Sequence, residues 1–248
     1  MKRLTLSARL TPFIVVLHQP ENAMNLGAVA RAMKNMGFAR LRLVQPAELD
    51  MAIARRVAHR AEEILDAAQL FDSLAGALAD AVYVVGTAAD AHPEHPQTPA
   101  VRAVAAEMHE RAAAGPVALL FGAEANGLGL AALDRCHLIL SLPTEPSHVA
   151  LNLAQAVLLV LYEVRMAALT QPERKPAPKL AEQAGLERLF AAAEELLTDV
   201  DFIKGSSAAV LRTLRQVAHR AQLRPDELAL LLAAVRQVQW ELDHRTKR

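Results

Sequence analysis

The chain has 248 residues, 53% hydrophobic, 22% charged and only 4% aromatic, enough for one sizeable α/β domain and a small second unit. Its single cysteine, Cys136, excludes an internal disulfide framework, fits a reducing cytoplasm and is expected as a small buried hydrophobe. Apolar runs fall short of the roughly 20 residues that cross a bilayer. The charged start Met1–Ser7 meets Arg9 and Pro12 before any long apolar stretch, so neither a membrane span nor a signal peptide is expected.

In chain order, Phe13–Leu17 is a continuous apolar run of the kind buried on both faces of a parallel sheet. A polar loop, 18–25, leads to a helix over about Leu26–Met36 with Gly37 as its C-cap, and Leu41–Val44 is the next strand. A helix is predicted around Arg55–Leu65 and a short one at Ser73–Ala79, before the strand Ala81–Val85. A loop rich in Pro and His, 86–99, precedes a helix over Ala100–Ala114 and the strand Val117–Phe121. A Gly-rich loop, a short strand His137–Leu142 and a long apolar helix, Ala150–Ala168, complete the alternation, which predicts a parallel sheet with helices on both faces. The Pro-rich stretch 171–180 reads as a linker between a domain at 1–170 and a small all-helical unit at 181–248, with helices at 181–199, 206–222 and 226–244.

Three segments directly after strands carry chemistry, since open α/β sheets place ligands at strand C-termini. In Asn25-Leu26-Gly27-Ala28-Val29-Ala30-Arg31, Gly27 and the alanines allow close packing on the sheet. The helix start would offer N–H groups to an anion, and Arg31 one turn in can grip phosphate; periodicity alone favours an ordinary packed helix with an exposed Arg. Phe121-Gly122-Ala123-Glu124-Ala125-Asn126-Gly127-Leu128 suits a tight loop whose backbone approaches a ligand, but has neither dinucleotide nor P-loop spacing. In Leu142-Pro143 and Ala150-Leu151-Asn152-Leu153-Ala154-Gln155, Asn152 or Ser147 could simply cap the helix.

Together, Asn-x-Gly-Ala-x-Ala-Arg, Phe-Gly-x-Glu-x-x-Gly-Leu and Leu-Pro…Leu-Asn-Leu-Ala-Gln-Ala-Val stand in the order and spacing of the three motifs of SPOUT-superfamily RNA 2′-O-ribose methyltransferases. The chain resembles the TrmJ-type tRNA branch from about Phe13 to its last helix. The resemblance implies an α/β SPOUT fold with a C-terminal trefoil knot, a helical extension, and a homodimer with each active site at the subunit interface. The apolar helix 150–168 would contribute to that interface. It implies S-adenosylmethionine as cofactor, held by Thr87, Ala88, Ala89, Gly122, Leu142, Ala150, Leu151 and Asn152. Arg31 matches the family's catalytic arginine, and because a guanidinium rarely loses its proton it is better read as a clamp on phosphate and the developing alkoxide. Asn25 and Glu124 would order the helix start and the second motif's loop, and Arg31 and Lys34 would face RNA. A tRNA or rRNA substrate agrees with the charge distribution: residues 1–60 hold ten Lys/Arg against three Asp/Glu, although the whole chain is neutral. No metal is expected, because the nine histidines form no zinc spacing with Cys136.

Two departures matter. The branch usually has Ser-Ala-Arg-x-Arg after the third strand, where this chain reads Ala88-Ala89-Asp90-Ala91-His92, and a serine where it has Ala150. The first removes positive charge beside the expected RNA phosphate; the second removes a hydroxyl counted among the family's catalytic groups. His92 could replace them as a base or sit idle in its loop. A non-catalytic S-adenosylmethionine- and RNA-binding relative is therefore the main alternative to an active tRNA or rRNA enzyme. An unrelated α/β nucleotide-binding protein would require the three motifs to be coincidence.

Overall fold

The two most apolar strands occupy the middle of the sheet, where both faces are covered. The structure, a computed structural model, describes residues 10–172 and 175–245, with the side chain of Arg245 excepted. The charged start of the chain, Arg9, and Glu173 and Arg174 of the linker lie outside the described residues. Seven strands, β1 (Phe13–His18), β2 (Leu41–Val44), β3 (Gln69–Phe71), β4 (Tyr83–Thr87), β5 (Gln97–Thr98), β6 (Val117–Phe121) and β7 (Leu138–Leu140), make one sheet in the order β3-β2-β1-β6-β4-β7-β5. Every pairing is parallel. At the centre Phe13 pairs with Val117 and Leu17 with Phe121.

Alternation along β1 divides the core. Phe13, Val15 and Leu17 face one cluster, covered by α1 (Ala23–Met36), α2 (Met51–Ala58), α3 (Glu62–Asp66), α5 (Val101–Arg111) and α7 (Leu153–Thr170). Ile14 and Val16 face the other, covered by α4 (Leu74–Leu78) and α6 (Leu130–Leu133). The α/β sandwich expected from the sequence is thus present. One strand residue breaks the apolar rule: Arg42 on β2 is buried, and its two terminal nitrogens meet Asp80 at 2.6 and 2.9 Å while one also donates to the Ala77 carbonyl.

Several elements differ from the sequence reading. The α1 helix begins three residues earlier, because the Asn22 side chain accepts from the N–H groups of Met24 and Asn25. The helix expected over 55–65 is two helices, broken where His59 and Arg60 take positive φ without a Gly or Pro to mark the turn. Strand β4 starts two residues late, and β3, β5 and α6 are too short to leave a periodic signal. Gly27 serves helix–helix rather than helix–sheet packing: a Cβ there would lie 2.2 Å from the Ala54 carbonyl oxygen of α2. Helix α7 is 18 residues long and apolar enough by composition to cross a membrane, closer to a span than the sequence reading allowed. Half of it is buried, with Val157, Leu161 and Val164 in the core cluster, so it is a core helix of this domain.

Compactness divides the chain at Ala177/Pro178. The second unit holds α8 (Gln183–Asp199), α9 (Ala208–Ala221) and α10 (Pro225–Arg245) around a small core of Ala181, Leu186, Leu189, Phe190, Ala218 and Leu228. Arg215 reaches across this core, pairing with Glu187 at 3.0 Å and lying over the Phe190 ring.

Candidate active site

Strand order places the site. Because β6, β4 and β7 are neighbours and parallel, the loops leaving their C-termini converge at one edge of the sheet. Between them lies a cleft of about 480 Å³, walled by residues 87–90 and His92 after β4, by 121–128 after β6, and by Leu142 and 149–151 before α7. Thr87, Ala88, Ala89, Gly122, Leu142, Ala150 and Leu151 all line it. Asn152 does not; its side chain caps α7 instead, accepting from the Ala154 N–H at 2.9 Å.

The 122–128 wall folds back on itself. Ala123 bridges to Gly127, whose N–H donates to the Ala123 carbonyl at 2.9 Å. A Cβ on Gly122 would lie 2.1 Å from the Gly127 carbonyl carbon, so only glycine fits that close approach. The turn holds Glu124 toward the start of α1. There its two carboxylate oxygens accept from the backbone N–H of Glu21 at 2.9 Å and of Asn22 at 3.2 Å, and from Asn25 Nδ2 at 2.9 Å. The anion at this helix start is therefore Glu124 itself. The N–H groups of Met24 and Asn25, expected to await a ligand, are taken by Asn22.

The same bonds join the three segments in one direction. Asn152 donates its amide to Asn25 Oδ1 at 2.8 Å, and Asn25 donates its own to Glu124. Both amide orientations are fixed, since the Ala154 N–H needs an acceptor at one end and a carboxylate needs donors at the other. Helix α7, helix α1 and the 122–128 loop are thereby registered to one another. Asn22 is a functional neighbour that the sequence reading missed, although Asn before an apolar-periodic run is a recognised capping signal.

The cations separate. Arg31 lies on the exposed face of α1, more than two turns into the helix, lines no part of the cleft, and makes no ion pair or hydrogen bond among the described residues. Lys34 is not free: its ammonium pairs with Glu63 at 2.7 Å and donates to the Arg60 carbonyl. The departures from the family pattern, Asp90, His92 and Ala150, all stand on the cleft wall. Cys136 is buried behind β4, and burial pushes its thiol up to about 12, which leaves it protonated and unreactive. Burial also lowers the pKa of His18, at the end of β1.

The SpoU rRNA methylase family matches residues 12–162. This chain belongs to that family. Within the family it is 35% identical over 232 residues to the tRNA (cytidine/uridine-2′-O-)-methyltransferase TrmJ of Pectobacterium atrosepticum, covering 91% of this chain and 95% of that one. An uncharacterized tRNA/rRNA methyltransferase of Haemophilus influenzae is 33% identical over 234 residues. Among solved structures, this SpoU-family chain superposes on TrmJ from Z. mobilis with a TM-score of 0.80 at 28% identity, over 91% of this chain and 98% of that one.

Proposed function

We propose that this protein is an S-adenosylmethionine-dependent tRNA methyltransferase acting on a ribose 2′-hydroxyl, at a cytidine or uridine of the anticodon loop. The observation that carries the reading is the convergence of three strand ends on one cleft. Glu124, Asn25 and Asn152 lock its walls to the helix that bears the unpaired Arg31. The lining fits the cofactor: small side chains and backbone at Ala88, Ala89, Gly122 and Ala150 leave room, and Leu142 and Leu151 offer apolar surface to a purine. Bound there, S-adenosylmethionine supplies a methyl group on a positively charged sulfur, which leaves as a neutral thioether when the ribose oxygen takes the methyl.

The protein's share of the work is positioning and charge stabilisation. Arg31 holds the phosphate beside the target ribose and offers N–H groups to the oxygen as negative charge develops on it; it keeps its own proton. Asn25, Glu124 and Asn152 fix the helix starts, and the hydroxyl proton leaves to water. Because Arg31 stands outside its own chain's cleft, we assign the working form as a homodimer with Arg31 at the interface. The exposed Leu158, Leu159 and Tyr162 on α7 supply an apolar face for it. Residues 1–170 serve as the methyltransferase domain, threaded as a trefoil knot through its C-terminal strands, with 171–180 as linker and 181–248 as a helical extension. The order β6-β4-β7 and the division at Ala177/Pro178 support this organisation. A tRNA substrate places the protein in the cytoplasm.

Asp90, His92 and Ala150 on the cleft wall favour a second reading, binding of cofactor and RNA without turnover. Purified protein, tritiated S-adenosylmethionine and unmodified tRNA or rRNA separate the two. Label on tRNA supports the proposal, and label on rRNA alone moves the substrate to the ribosome. Cofactor binding by calorimetry with neither RNA labelled supports the second reading.

A further inference from the structure

The β4–β5 connection carries a cluster for which methyl transfer has no use. Residues 92–95 form a tight turn, with Pro93 at its second position and the His95 N–H donating to the His92 carbonyl at 2.9 Å. The turn folds His92, Glu94 and His95 together, so that one ligand atom from each lies within 4.8 Å of the other two. The His95 side chain is only 3% exposed, and its Nε2 meets Asp134 Oδ1 at 2.8 Å. That bond fixes the tautomer: Nε2–H donates to the carboxylate, and Nδ1 presents a lone pair. Nδ1 is buried and makes no hydrogen bond among the described residues, and the nearest Glu94 oxygen stands 3.9 Å away. A buried acceptor without a donor is costly unless something else occupies it.

We propose that His92, Glu94 and His95 bind a divalent ion of the zinc class, with Asp134 as the carboxylate that orients His95. Two imidazole nitrogens and one carboxylate oxygen select a late first-row transition ion over magnesium or calcium. Three protein ligands leave a fourth position open to water or a ligand oxygen. Bonds of about 2.0–2.1 Å set tetrahedral ligand atoms roughly 3.3 Å apart. The buried His95 is fixed by Asp134, and the half-buried His92 and Glu94 close the remaining distance by side-chain rotation. Gln97 already braces the turn, accepting from the His92 N–H at 2.7 Å and donating to the Asp90 carbonyl at 2.8 Å. Cys136 takes no part in the cluster. Since Asp90 and His92 also line the cleft, the ion puts positive charge on the wall where the family pattern named above has arginines; only this consequence rests on the methyltransferase reading.

The test uses tag-free full-length protein, stripped with a chelator and titrated with Zn²⁺ against a chromophoric competitor. The expected result is one ion per chain, with affinity lowered at least about tenfold in His92→Ala and in Glu94→Gln and about 10–100-fold in Asp134→Asn. Co²⁺ in place of Zn²⁺ should give the intense visible absorption of a tetrahedral site, lost in His92→Ala. His92 and Glu94 lie outside the core, so circular dichroism of their metal-free variants should match the parent. No stoichiometric Zn²⁺ binding, or binding unchanged in both variants, overturns the site whatever the outcome of methyl-transfer assays.

Discussion

Two of the three walls of the cleft are held in different ways. The 122–128 wall is fixed by exclusion and by charge: glycine is the only residue that fits at 122, and Glu124 is committed to three N–H donors at and just before the start of α1. The 88–97 wall is held by replaceable side chains, Gln97 bridging its backbone and His95 anchored on Asp134. The first wall keeps the family pattern, and the second carries two of the three departures, Asp90 and His92. A wall built from backbone geometry leaves little room for substitution; one tied by side chains can exchange arginine for Asp90 and His92 and still fold.

The predictions probe that contrast. Arg31→Ala, which removes the unpaired cation beyond the rigid wall, should lower methyl transfer by about 10²–10³-fold without shifting the melting temperature. A loss of stability in that variant would mean Arg31 is structural. Gly122→Ala should abolish cofactor binding by calorimetry and cost about 1–3 kcal/mol in denaturant unfolding, because a Cβ has nowhere to go. Glu124→Gln places a donor against N–H groups that need an acceptor, and should cost about 1–3 kcal/mol with weakened cofactor binding. If Glu124→Gln behaves as wild type, the two walls do not differ as described.

Asp80, away from both walls, serves as a control. Hydrogen bonding to the Arg42 guanidinium holds its carboxyl below the usual carboxylate range. Its contribution is therefore fully present above the unfolded-state pKa and is lost as pH falls through the folded one. Since Asp80 is partly exposed, Asp80→Asn should cost only about 1–2 kcal/mol near neutrality, and less as the pH is lowered. Melting temperatures of both proteins from pH 7 to 3 should converge at the acid end. The smallest effect is expected on the tolerant wall: Asp90→Arg should leave stability unchanged and steepen the salt dependence of tRNA binding by about one unit of slope.

The sequence made some of this legible and hid the rest for physical reasons. Continuous apolar runs announced β1, β4 and β6, and the residues of three motifs pointed to the cleft. Periodicity could not reveal β5, a two-residue strand paired only at the sheet edge, nor the break at His59 and Arg60. The chain Asn152–Asn25–Glu124 spans 127 residues of sequence, so no local pattern could show that the Asn152 cap and the Glu124 loop share one hydrogen-bond path. The ion-paired state of Lys34 depends on Glu63, brought close by the same unforeseen helix break.

The most direct test of the central claim is the position of the methyl group. Unmodified tRNA incubated with the protein and S-adenosylmethionine, then digested and mapped by mass spectrometry, should carry one new 2′-O-methyl on an anticodon-loop pyrimidine, absent with Arg31→Ala. A methyl on a base, or one that persists undiminished in the Arg31 variant, would contradict the account.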